Sequence, residues 1–330
     1  MDTRDTAEQA ELRRSARRLA RELAPATVAD LDDATRAKRL AAAVHDAGWL
    51  ELRDDAGGGA PLAGGVEAAI VADALGGSVA DVAFAGPVLA RDLLRRSGRA
   101  RVDNAVVAFA PSLVAAASTT PAYAVDAPAD GYAALVVVGS ELACVRVAAS
   151  GPGGNDLTRV VAALPEGAPI EMIGGELHAD DLDAWRALGL ALTSADLVGV
   201  MRGVLDMTVA YAVDRRQFGV PVGSFQAVQH LLAEARCLQE GSLSAALYAA
   251  WTVDNLPPAD ALAAGRVAKA YAARAARTVC ETAVQVHGGI GNTWECIVHV
   301  YLRRALLSTQ WFGDDAVQLA ELQQERLGSS

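Results

Sequence analysis

Two short segments in the last third of the chain carry the residue types that chemistry uses. The first reads Asp214-Arg215-Arg216-Gln217-Phe218-Gly219, followed by Gly223-Ser224-Phe225-Gln226. A guanidinium placed where a long helix gives way to a Phe-Gly turn can offer a forked donor to a phosphate. It can equally complement the negative end of the helix dipole. The second segment reads Gln285-Val286-His287-Gly288-Gly289-Ile290-Gly291, with Trp294-Glu295 beyond it. Amide, imidazole and side-chain-free backbone meet there, which admits close approach of a ligand or simply stops the helix. Cys144, Cys237, Cys280 and Cys296 are far apart and form no CxxC pair, so they read as reduced core thiols and not as a metal or redox site.

The elements that must position these residues follow from periodicity. Apolar spacing predicts helices over Ala7–Leu23, ended by Pro25, and over Ala34–Gly48, with further helix at Val66–Leu75 and Ser78–Arg96. Gly57-Gly58-Gly59 and Pro61 mark a connecting loop; no strand precedes the glycines and no GK[ST] follows them, so a phosphate loop is not indicated. Between Arg101 and Ile173 the texture changes to short β-branched runs at Val106–Phe109, Ala122–Val125, Ala133–Val138, Ala143–Val147 and Val160–Leu164. No helix-length segments separate them, so the reading is a small antiparallel module and not a doubly wound dinucleotide fold. Long helices return at Leu182–Asp214, Ser224–Val253 and Ala259–His287, with a fourth over Trp294–Ser308; short turns between them predict an antiparallel bundle. The expected fold class is mainly α: an N-terminal helical domain (1–100), a small antiparallel β-domain (101–180) and a C-terminal four-helix bundle (181–330).

Composition narrows the function classes. The chain has 330 residues and a net charge of −11, from 29 Lys+Arg against 40 Asp+Glu. That balance argues against nucleic-acid binding, which needs a basic face to displace counterions. Lysine occurs only at Lys38 and Lys269, so arginine supplies nearly all the positive charge. Met1–Leu23 is dense in charge, without the apolar core of a signal peptide. The nearest approach to a membrane span, Val66–Ala90, is interrupted by Glu67, Asp73, Asp81 and glycines. The expectation is a soluble, cytoplasmic protein with no membrane partner.

Taken in order, RRQFG…SFQ…QVHGGIG…WE…YLRRA resembles the C-terminal bundle of the acyl-CoA dehydrogenase family, closely over Leu182–Gly313. The likeness extends more loosely to Ala47-Gly48-Trp49-Leu50 and Val71-Ala72-Asp73-Ala74-Leu75-Gly76. The resemblance implies an oxidoreductase of lipid metabolism that uses FAD to dehydrogenate an acyl-CoA thioester. It implies FAD contacts, made across a subunit interface, for Arg215 with Gln217, Phe218 and Gln226, and for Gln285 with Gly288 and Gly289. It also implies a glutamate base at one of two positions. One follows the Arg-Asp-Ala of the fourth helix, where this chain has Phe312; the other lies early in the first bundle helix, at about Gly189. Both lack a carboxylate.

Asp196, two turns beyond Gly189 in an apolar stretch, is the remaining candidate base; the alternative is a polar residue at a helix packing or subunit contact. The family's T-E-x-x-x-G-S-D and W-x-[TS]-N segments are absent between Arg101 and Ile173, leaving Asp156-Leu157-Thr158-Arg159, which resembles the D-x-T-R of shorter members. The resemblance is therefore strongest to the short chain of paired-subunit acyl-CoA dehydrogenases, in which a chain of this type joins a full-length subunit as α2β2 and completes its FAD site. The alternatives are a self-sufficient homo-oligomeric dehydrogenase with a displaced base and a non-catalytic scaffold.

Overall fold

The computed structural model describes residues 4–128, 130–149 and 154–327. The first three residues of the Met1–Leu23 stretch and residues 150–153 of the strand segment lie outside these. The first helix, α1 (Ala7–Leu23), opens on a capping box in which Thr6 and Gln9 satisfy each other's backbone N–H, and it ends before Pro25. Asp33 caps α2 (Ala34–Asp46) through the N–H groups of Thr35 and Arg36. Left-handed Gly48 then leads into a short turn carrying buried Trp49. The glycine triplet is a connector, its Gly57 and Gly59 N–H groups donating to Asp55 Oδ1.

The next two helices are α3 (Gly65–Gly76) and α4 (Ala85–Arg96). The expected helix from Ser78 is corrected here: residues 77–84 are turn and loop, with Val79 at a φ of 41°. The start of α4 is set from outside the segment. Asp126, far along the chain, accepts from the N–H groups of Phe84 (2.9 Å) and Gly86 (3.0 Å), doing what no local residue does.

Six strands follow: β1 (Ala105–Phe109), β2 (Tyr123–Val125), β3 (Asp130–Val138), β4 (Glu141–Ala149), β5 (Val161–Ala163) and β6 (Glu171–Glu176). They form one sheet in the order β5-β2-β1-β3-β4-β6. The sheet is mixed, correcting the antiparallel expectation: β1 and β3 run parallel, in register Val106 to Ala134. The cause is topological. β2 turns back along one edge of β1, and β3, reversing again, comes up on the other edge. Unforeseen β6 lacks alternation because Gly174 and Gly175 take φ values of 70° and 90°.

The remaining chain is helical: α5 (Ala179–Asp214), a two-residue hairpin β7 (Arg216–Gln217) and β8 (Val220–Pro221), then α6 (Gln226–Asn255), α7 (Pro258–His287), α8 (Val298–Gln310) and α9 (Asp315–Leu327). The bundle gains a helix over the expected four, since α9 docks on it through Glu321, which accepts from Arg186 and Arg266. The fourth expected helix begins at Val298, later than Trp294, because residues 293–297, after the 3-10 turn at 288–292, are themselves turn and bend. At 36 residues α5 is long and apolar enough to cross a bilayer, yet 89% of its most apolar window is buried in the protein. One core cluster runs from α1 through α3 and α4 into the sheet and the first half of α5; a second fills the bundle.

The pivot of this packing is where α3 meets α5. A Cβ on Gly199 would overlap the Asp73 carbonyl and lie 2.8 Å from the Gly77 N; one on Gly203 would overlap the Gly77 carbonyl. Because the obstruction is backbone, no side chain can swing aside. Gly199→Ala should therefore force the helices apart at a cost of about 1–3 kcal/mol. The expected readout is a lower urea midpoint, against no loss for Gly289→Ala, since a Cβ at Gly289 meets nothing within 4 Å and Gly289 has no positive φ.

Candidate functional site

The helix directions bring the two chemistry-bearing segments to one end of the bundle. α5 and α7 both finish there, and α6 starts there. Tyr211 on the last turn of α5 stacks on His287 at the end of α7, ring centroids 4.2 Å apart, and its hydroxyl lies 3.4 Å from the His287 carbonyl. Arg215 caps α5, its N–H donating to the Tyr211 carbonyl at 2.8 Å while its own carbonyl accepts from Val222 at 2.7 Å. The β7–β8 hairpin then turns through Phe218 and Gly219, at φ values of 51° and 83°. Two left-handed residues make the tight turn that fits a two-residue hairpin. A phenylalanine is strained there, and it is 94% exposed, with the Phe225 ring edge-on to its own.

This end of the bundle is an open polar surface. Arg215, Arg216, Gln217, Gln226, Gln285, Gly288 and Gly289 are all exposed. Neither guanidinium has a carboxylate partner among the described residues. A Cβ on Gly288 or Gly289 would meet nothing within 4 Å, and Gly289 has no positive φ, so the fold itself does not demand glycine there. What the bare backbone leaves is room for something outside the chain. His287 is fixed by its Nδ1 against the Ala283 carbonyl at 2.9 Å, and burial lowers its pKa, so the ring serves as a neutral packing element under the turn. Beside it, Trp294 is also exposed, with Arg303 over its face at 5.7 Å. Unpaired guanidiniums, side-chain amides and bare glycine suit a pyrophosphate with a planar group attached.

The interior candidates lie elsewhere. At about 1.5 Å per residue, Gly189 and Asp196 stand about 39 Å and 28 Å from Arg215 along α5. Gly189 and Phe312, distant in sequence, occupy one place: a Cβ on Gly189 would overlap the Phe312 ring. Phe312 is held in the left-handed region at a φ of 67°, with its N–H on the Leu113 carbonyl (2.8 Å) and its carbonyl accepting from Gln318 (2.6 Å). Around it, Phe109 and Trp185 lie with ring centroids 5.1 Å and 5.3 Å away, and Trp311 closes the group; none of the four is more than 2% exposed. The two sequence positions that could have held a base thus converge on a single spot, and an aromatic ring fills it.

Asp196 is buried in a different cluster. Its Oδ1 accepts from Arg304 Nε (3.1 Å) and Nη2 (2.8 Å) and pairs with Arg159 Nη2 at 2.8 Å; its Oδ2 accepts from Ser308 at 2.7 Å. Arg304 also reaches the Ala80 carbonyl and Thr158 Oγ1, and Arg159 donates to Ser308 Oγ. Burial works against the charged carboxylate, but Arg159 and Arg304 outweigh it and hold the pKa below its ordinary value. Lys269, one of the two lysines, lies fully buried beside this group and donates to the carbonyls of Ser308 and Trp311. Burial brings its pKa down to about 7, with Asp196 pulling the other way. Sequence reasoning found Asp196 and the Asp156–Arg159 segment separately and missed that they meet. The signal available was Asp196 itself, a charge in a stretch of α5 whose neighbours are all buried.

Two expectations follow. Asp196→Asn leaves buried Arg304 without a carboxylate and Arg159 with only Asp126 at 3.7 Å, which should cost about 3–5 kcal/mol, read as a fall in the urea midpoint of the folded chain. Lys269 has a folded pKa below its unfolded one, so the unfolded state binds more protons above pH 7 and stability should rise with pH from about 7 toward 10. A neutral amine keeps two N–H donors for the two carbonyls. The slope should flatten in Lys269→Met when unfolding free energies are measured across that range; an unchanged slope would assign it to another group.

The comparisons with known proteins agree with this architecture. Residues 189–327 match the family described as acyl-CoA dehydrogenase, C-terminal domain. The acyl-CoA dehydrogenase FadE34 of Mycobacterium tuberculosis is 38% identical over 181 residues, covering 54% of this chain and 24% of that protein. The acyl-CoA dehydrogenase IpdE2 of Mycolicibacterium smegmatis is 34% identical over 170 residues, covering 52% of this chain and 50% of that one. The chain thus spans half the length, or less, of these curated relatives. A chain of the ChsE4-ChsE5 complex from Mycobacterium tuberculosis superposes with a TM-score of 0.75 at 23% identity, covering 99% of both chains, which shows the fold. Residues 189–327 thus match an acyl-CoA dehydrogenase C-terminal domain, and the chain as a whole has the fold of the ChsE4-ChsE5 chain.

Proposed function

We propose that this chain is the accessory subunit of a two-chain, FAD-dependent acyl-CoA dehydrogenase, and that it completes the FAD site of a full-length partner in an α2β2 assembly. The observation that carries the reading is the Phe312 ring packed on Gly189: where the family needs a carboxylate to take the α-proton, this chain has closed aromatic core. Asp196 does not replace it. A carboxylate holding two guanidiniums and a hydroxyl, with 3% of the residue exposed, is committed to packing.

The bundle-end surface has the opposite character. Arg215 supplies the forked donor for the pyrophosphate, Gln217, Gln226 and Gln285 supply amides, and Gly288–Gly289 gives backbone clearance. Phe218, held out by its strained turn, offers an aromatic face to the same ligand or to the partner. This chain's residues would hold and orient FAD, which would supply the hydride acceptor for the acyl β-carbon, and the partner would provide the base and the acyl pocket. The full-length match to a chain of a two-component complex supports a paired assembly. The four free cysteines fit a cytoplasmic setting.

The test is purification of the chain alone and co-expressed with a full-length family member encoded beside it. The expected result is no stoichiometric flavin on the isolated chain and one FAD per pair of unlike chains in the complex. Arg215→Ala should weaken FAD retention about tenfold, the worth of one charge-assisted contact, without moving the melting temperature of the isolated chain. Stoichiometric FAD and acyl-CoA oxidation by the chain alone would sink the accessory reading.

A further inference from the structure

A cavity of about 440 Å³ opens between the C-terminal half of α1, the end of α3, the last third of α5 and the start of α8. Three arginines stand in its wall: Arg17, Arg21 and Arg202. Their counter-charge is deficient. Arg17 Nη2 and Arg202 Nη2 share the single oxygen Asp73 Oδ2, at 3.0 Å and 3.2 Å, and Arg13 approaches the same oxygen at 3.7 Å. Arg21 has no carboxylate partner among the described residues and spends only its Nε, on the Arg17 carbonyl at 3.1 Å. The one acidic side chain in the wall, Asp206, is already paired with Arg236 at 3.0 Å. The wall therefore carries about two uncompensated positive charges, counting Arg17, Arg21 and Arg202 against Asp73.

The rest of the lining is mostly apolar, with Ala20, Ala24, Pro25, Ala74, Met207 and Ile297 against the polar Ser78 and Tyr301. A second arginine-rich cavity, walled by Arg91, Arg95, Arg99 and Arg101, lacks this imbalance. There Glu51, Asp54, Asp92 and Asp103 answer the cations, and Asp55 lies in the wall.

We propose that the α1–α5–α8 cavity binds a small amphiphilic carboxylate, its head on the guanidiniums of Arg17, Arg21 and Arg202 and its aliphatic body against the apolar wall. A guanidinium fork matches a carboxylate through two parallel N–H donors. A mixed lining of this kind, mostly apolar with a few convergent polar groups, is what small-molecule sites have.

The test is equilibrium dialysis of octanoate against the full chain in its assembled form, with acetate and 1-octanol as head-only and body-only probes. Octanoate should occupy one site per copy of this chain, with acetate and 1-octanol each bound at least about tenfold more weakly, since each gives up one half of the contact. Arg21→Glu should abolish that site while leaving any octanoate bound by a partner subunit in place. Arg21 is exposed and makes one internal hydrogen bond, so an unchanged melting temperature will show that the variant folds. Binding unaffected by Arg21→Glu, acetate binding as tightly as octanoate, or no octanoate bound would each overturn the proposal.

Discussion

One buried carboxylate organises this molecule. Asp196, on the central helix α5, takes Arg159 from the chain between β4 and β5, and Arg304 and Ser308 from α8; through Arg304 it also reaches the Ala80 carbonyl in the turn before α4. Four parts of the chain with no sequence proximity are thereby fixed by one negative charge. Such a cluster adds little net stability over an apolar substitute of equal volume, because each ion must leave water. Its consequence is geometric: a sheet, a bundle helix and an N-terminal turn fit together in one arrangement, because any other leaves a buried guanidinium unpaired. The same device recurs at Asp92, where Arg96, Arg53 and Arg95 overcome burial and hold the carboxyl at about 2. The scarcity of lysine is intelligible in this light. A guanidinium bridges two or three elements at once with its fixed fork, whereas an ammonium is a point charge that serves one place.

The lysine that is buried does a job suited to a point charge. Lys269 closes the end of α8 by satisfying the Ser308 and Trp311 carbonyls, and the chain then turns through left-handed Phe312 and Gly313. That turn points Phe312 onto Gly189, and Arg159 stacks on Trp311 at 5.7 Å, so the ionic cluster and the aromatic cluster share a wall. The interior there is close-packed core: a ring of this size at position 312 needs the absence of a side chain at position 189.

Local chemistry made much of this legible in the sequence. α1 and α7 end where Pro25 and Gly288 say they should, and the order of helices, strands and helices follows from periodicity alone. What escaped was decided at a distance. α4 starts at Ala85 because a carboxylate 40 residues on caps it. β3 pairs in parallel with β1 because of where β2 lies, and α9 is held by ion pairs to α5 and α7. The site divides in the same way. The residue types of the bundle end could be read directly, since each works by being exposed. That Gly189 and Phe312 are one location is a property of the fold and appears in neither segment.

The two regions lie far apart in the chain's own fold. Arg215 stands about 28 Å along α5 from Asp196 and farther from Phe312, with packed helix between. The bundle end nevertheless carries features that the fold of this chain does not explain. Phe218 sits strained and exposed at a hairpin tip, two adjacent guanidiniums lack carboxylates among the described residues, and Gly289 is glycine where any residue would fit. Strain and exposed apolar surface of this kind persist when something outside the chain offsets them. The interior of the protein is packed by its own residues, whereas its bundle end carries features that the chain's own packing does not account for.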